Sequence, residues 1–150
     1  MTFRPGPGAR RRVEDPVPEA RVEYRLVRDA VVREVRRGRV GVDDVCDAHP
    51  ELLRAARNVG RPLADDCPIC GEARTVQVTY VFGAGLPAGG RCPGSAAELQ
   101  RLQRRSQPVL CYDVEVCPAC AWHHLLRRYP AGGRTAGAGA SDRARSRTRG

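Results

Sequence analysis

Lysine is absent from this chain: all 26 basic residues among its 150 are arginine. With so much Ala, Gly, Pro and Val alongside, that choice reads as coding bias. It weakens any inference that a given arginine was selected for bidentate phosphate or carboxylate chemistry. Aromatics are scarce, with two Phe, one Trp and four Tyr, so binding single strands by base stacking has little to work with. No apolar run approaches the ~18 residues of a membrane-spanning helix. Residues 1–20 carry arginine, proline and glycine but no apolar core, so no secretory signal is expected. No acid–base pair or nucleophile constellation is legible, which favours a non-enzymatic role. These absences lead to the expectation of one cytoplasmic domain of modest size.

Seven cysteines are present, an odd number that argues against a disulfide framework. Four of them form two knuckles, Cys67-Pro-Ile-Cys70-Gly and Cys117-Pro-Ala-Cys120-Ala. Each CxxC turn offers two sulfurs on one side, and two such turns complete a tetrahedron around Zn²⁺. A site of four thiolates is closed and therefore structural, and it would lower the formal charge of +9 by two. The rival use of CxxC is thiol–disulfide chemistry, but that calls for a single motif in a βαβ context, which is missing. The 46 residues between Cys70 and Cys117 exceed ordinary ribbon spacing, so an insertion is expected.

The fold expected is α+β: a small four-cysteine zinc ribbon with an inserted helix, packed against an N-terminal helical annex. Disordered tails are expected over residues 1–20 and 131–150, the second carrying five Arg and one Asp. Residues 21–130 form the domain, with the annex at 21–60, the ribbon at 67–129 and the insertion at 83–107. In the annex, Val22, Leu26, Ala30 and Val31 recur at helical spacing, with Val27 and Val35 widening the stripe, and predict an inward face for a helix over 21–37. A short helix over 43–47 and a third over 50–58, opened by Pro50, complete it. In the ribbon, Val76, Val78, Tyr80 and Phe82 alternate, as do Leu110, Tyr112, Val114 and Val116, and the two strands should pair antiparallel. Ser95 with Glu98 three residues on predicts a capped helix over 95–105. Residues 122–129 suit a strand or a short helix.

The remaining candidates have plain readings. Cys46 and His49, with Cys92 and Cys111, have the atoms for a second metal site but no second paired motif. Cys46 is expected to pack beside Val45, and His49 to cap the helix opened by Pro50. Cys111 should pack on its strand. His123 and His124 should point to opposite faces of a strand, one shielding the knuckle or hydrogen-bonding a sulfur and the other exposed, while Trp122 belongs to the core.

The run Cys46-Asp-Ala-His49-Pro-Glu-Leu-Leu-Arg-Ala-Ala-Arg57, the first knuckle, and Val114-Glu-Val-Cys117-Pro-Ala-Cys120-Ala-Trp-His-His-Leu125 resemble a family of small, uncharacterised actinobacterial zinc-ribbon proteins. The resemblance covers about residues 21–130 and implies a ribbon with a helical N-terminal part, without an activity. The role expected is a module docking on a macromolecular assembly, with RNA polymerase or the ribosome as candidates. The alternatives are direct nucleic-acid binding through the annex and basic tail, or a thiol- or metal-responsive regulator.

Overall fold

A computed structural model of the chain describes residues 21–133. The expected tails, 1–20 and 131–150, lie outside the described residues except for Ala131, Gly132 and Gly133. Ala131 pairs with Val109, and the Gly133 N–H donates to the Arg105 carbonyl.

In chain order the elements are β1 (Val22–Glu23), α1 (Arg25–Arg36), α2 (Val42–Val45), α3 (Pro50–Val59) and β2 (Arg61–Asp66), followed by β3 (Arg74–Gly83), α4 (Ala96–Gln103), β4 (Val109–Val116) and β5 (His123–Ala131). The strands form one antiparallel sheet in the order β1-β5-β4-β3-β2. All eight residues of β4 are buried, because helices cover both faces of the sheet there.

Period-two alternation sorts the two faces. Val78 and Tyr80 of β3, Leu110, Tyr112, Val114 and Val116 of β4, and Leu125 of β5 share one face. Leu52 and Ala56, one turn apart on α3, pack against it. His49 Nδ1 accepts the Glu51 N–H at 3.2 Å and caps α3, and Pro50 opens that helix. On the other face Val81, Val109 and Cys111 are covered by Leu86 and by Leu99 and Leu102 of α4. Ser95 Oγ accepts the Glu98 N–H at 3.1 Å. The Glu98 carboxylate reaches back to the Gly94 N–H at 2.8 Å and pairs with Arg91. The same face carries Asp113, which accepts from Thr79 at 2.7 Å and from Arg127 at 2.8 Å.

The annex departs from expectation in three ways. Val22 and Glu23 are a strand paired with Arg128 and Arg127, and the helix begins only after Tyr24, whose N–H bonds the Leu126 carbonyl. The expected inward face of α1 holds at Val31 and Val35 but not at Leu26 and Val27, which are exposed. Val32 is buried with Val31 and Val35 beside it, while Leu26 is 84% exposed. Arg28, one turn before Val32 on the same face, also turns inward, to the buried Glu115 on β4. Third, the segment after Gly60 is the edge strand β2, where Pro62, which has no N–H to donate, is tolerated.

Candidate metal centre

The two knuckles share one backbone design. Residue 71 turns back on residue 67 through Gly71 N–H to Cys67 O at 3.0 Å, and residue 121 on residue 117 through Ala121 N–H to Cys117 O at 3.0 Å. The residue after each second cysteine has positive φ, +67° at Gly71 and +69° at Ala121. Ala121 is the only non-glycine in that region among the described residues. Holding alanine there costs about 1–2 kcal/mol, which the knuckle must offset.

The sheet brings the turns together. Cys117 directly follows β4, while β3 begins four residues after Cys70, and the register pairs Val76 with Val116. The sulfurs of Cys67, Cys70, Cys117 and Cys120 all lie within 4.8 Å of one another. Cys67 and Cys120 are 3.6 Å apart, Cys70 and Cys117 3.7 Å. A tetrahedron with metal–sulfur bonds of about 2.3 Å has edges of about 3.8 Å, so the four thiols fit one metal ion. No other group of three or more possible ligands converges among the described residues.

The thiols are unevenly prepared for deprotonation. The Glu72 backbone N–H holds the Cys70 thiol below its ordinary pKa, whereas burial pushes Cys67 well up and Cys120 to about 12. Metal entry must therefore displace protons from buried sulfur, so occupancy strengthens as pH rises.

Beside the sulfurs lies a buried polar network that the sequence reading did not single out. Glu115, 5% exposed on β4, accepts from Arg28 Nε at 3.0 Å and Nη2 at 3.1 Å. It also accepts from Trp122 Nε1 at 2.7 Å and Thr75 Oγ1 at 3.4 Å. Burial works against the Arg28 charge, but the hydrogen bonds to Glu115 and Asp29 outweigh it and raise its pKa. A carboxylate with this many donors locks α1, β3, β4 and the residue after the second knuckle together. Its one sequence signal is the run Asp113-Val-Glu115, acids at period two within a strand of otherwise apolar residues.

Both histidines are buried, which corrects the expectation that one is exposed. His123 Nε2 meets Asp47 Oδ1 at 2.9 Å. His124 stacks on Trp122 at 5.9 Å and 24°, and its Nδ1 faces the Leu125 carbonyl at 2.7 Å. Opposite faces do not mean opposite exposures, because this end of the sheet is covered on both sides. Trp122 is fully buried in the core.

The other cysteines do not assemble a second site. Cys92 lies against the α3-covered core and Cys111 against the α4-covered one. Cys46 does more than pack beside Val45: its sulfur is 3.6 Å from that of Cys120. No helix among the described residues is long and apolar enough to cross a membrane.

Comparison with known sequences adds kinship. A family model described as a family of unknown function (DUF5318) matches residues 17–147. Uncharacterized proteins of Mycobacterium tuberculosis and Mycobacterium bovis are each 41% identical over 111 residues, 74% of this chain and 81% of theirs. No solved structure matches.

Proposed function

The chain belongs to the DUF5318 family, whose function is unknown, and we propose that it is a non-enzymatic zinc-ribbon module that docks on a macromolecular assembly. The observation that carries this is the closed set of four thiols, spaced for one tetrahedral ion. Four soft sulfurs in that geometry favour Zn²⁺, and a filled tetrahedron leaves no position for substrate. The ion's task is then to fix the knuckles, so that the sheet presents a rigid surface. Docking is supported by α1 and α2, which hold Leu26 (84% exposed), beside Arg25, and Val42 (52% exposed), beside Asp43 and Asp44, out to solvent. Fold analogy makes transcription or translation machinery the first place to look.

Two measurements test this reading. Elemental analysis of the purified full chain should find one zinc per molecule, and a metal-free, stably folded protein overturns the zinc assignment. The tagged chain is then captured from host lysate with and without nuclease, alongside Leu26→Asp. Recovery of polymerase or ribosomal subunits that survives nuclease and is lost in the variant supports docking. Recovery lost on nuclease treatment replaces it with nucleic-acid binding.

A further inference from the structure

Cys46 is the one thiol outside the four ligands that touches them. Its Sγ is 3.6 Å from Cys120 Sγ, the same separation as that between Cys67 and Cys120 within the set. The fold builds this contact through the two residues that follow. Asp47 Oδ1 meets His123 Nε2 at 2.9 Å, and the Ala48 N–H donates to the Ala121 carbonyl at 3.1 Å. Residues 46–48 are thus laid along 120–123, so Cys46 meets the ligand set at Cys120. Cys46 and Cys120 are both half-buried, whereas Cys67 and Cys117 are fully buried.

We propose that Cys46 is a reserve ligand of the metal centre and exchanges with Cys120. In the resting centre the Cys46 thiol donates to the Cys120 sulfur, as groups just outside a metal's ligands commonly do. Exchange breaks the bond from the metal to Cys120 Sγ and forms one to Cys46 Sγ. The proton moves the opposite way, along the S–H···S contact from Cys46 to Cys120. Four thiolates are kept, the charge is unchanged and no outside base is required. When Cys120, a half-exposed ligand, is lost altogether, Cys46 gives its proton to water instead and the centre retains its ion and four thiolates. This proposal rests on the metal reading above.

Cobalt(II) is the probe, because its thiolate charge-transfer absorption counts bound sulfurs. It is titrated into the full-length apo chain as wild type, Cys120→Ala, Cys46→Ala, the double variant and Cys70→Ala. Cys120→Ala is expected to keep four-thiolate absorption, while the double variant and Cys70→Ala drop to three. Cys120→Ala with the same three-thiolate spectrum as Cys70→Ala overturns the proposal. Should Cys120→Ala fail to fold, metal release to a chelator decides the matter. Cys46→Ala is expected to lose metal about tenfold faster than wild type, and equal rates overturn the exchange. A wild-type chain that binds no cobalt through four thiolates overturns the metal centre itself, which separates that failure from failure of the exchange alone.

Discussion

Under α4, the sheet is closed by aliphatic packing: Val81, Val109 and Cys111 are fully buried against Leu86, Leu99 and Leu102. At the knuckle end the buried apolar residues besides cysteine are Val32, Val45 and Trp122, with Val31, Val35, Val40 and Ile69 partly buried around them. Polar groups do the rest there: Glu115 with its four donor contacts, and His123 bonded to Asp47. One end is stabilised by area removed from water, about 25 cal/mol per Å². The other has its own apolar cluster around Trp122 but adds paired buried charge and, on the reading proposed above, a metal ion. Two ends built so differently should fail separately, under different insults.

The largest effect expected is from metal removal. Structural Zn²⁺ contributes roughly 10–16 kcal/mol in small metal-dependent folds, against a whole-domain stability of about 5–15 kcal/mol. Chelation, or Cys117→Ser, should therefore unfold the knuckle end outright. Trp122, the only tryptophan and fully buried there, reports it through red-shifted emission. Amide exchange at Val81 and Val109 reports the α4 end independently. Apo protein that retains a buried Trp122 would dissolve the contrast.

Next comes Glu115→Ala, which leaves the Arg28 guanidinium and the Trp122 indole N–H without their shared acceptor. Breaking one side of a buried ion pair costs about 3–5 kcal/mol, seen as a lower urea midpoint with the metal still bound. Glu115→Gln keeps the shape and part of the hydrogen bonding, so it should lose less. An Ala variant as stable as wild type would mean that Arg28 swings to solvent and the network contributes nothing net.

Smaller again is Val109→Ala at the opposite end. Removing two methyl groups from a fully buried site should cost about 2 kcal/mol, including the cavity. Metal content and chelator resistance should not change. A Val109→Ala protein that loses metal more readily would show that the two ends are coupled through β4.

Much of this contrast could be read from residue order, and the unread part has a common cause. Local pattern revealed β3, β4, the helix opened by Pro50, the capped helix after Ser95 and the two knuckles, because each is encoded within a few residues. The face of α1 is legible at Val31 and Val35 but not at Leu26 and Val27, which face solvent, nor at Arg28, which meets Glu115, 87 residues away. Periodicity assigns arginine to the solvent side, and only the tertiary partner reverses that. β1 and β2 were missed for a related reason. Two residues, or a strand containing Pro62, carry no alternation of their own and exist as strands only through β5 and β3. The contact between Cys46 and Cys120 likewise spans 74 residues, and nothing local distinguishes that cysteine from a small buried one.

The smallest effect expected, and the finest probe of the knuckle end, is the pH response of His124. Its Nδ1 faces the Leu125 carbonyl, which leaves Nε2 as the bare nitrogen, buried without a partner. Burial lowers its pKa below the ordinary value, and the nearby Arg28 adds to this while Glu115 opposes it. The unfolded chain takes up the proton near pH 6.5, whereas the folded chain does so only at lower pH. Between those values the unfolded state binds more protons, so stability falls as pH drops through that window and is level in this respect above it. His124→Gln removes the titration but also the stack on Trp122, so its stability at pH 7.5 is lower. The quantity that tests the idea is the slope of the urea midpoint from pH 7 to 5.5, compared between variant and wild type at equal metal loading. Acid-driven loss of the thiolates is common to both proteins, so it drops out of the comparison. A shallower slope in His124→Gln assigns the difference to this imidazole. Parallel slopes would mean that the folded knuckle end accepts the proton, and hence that His124 is less tightly enclosed than its burial implies.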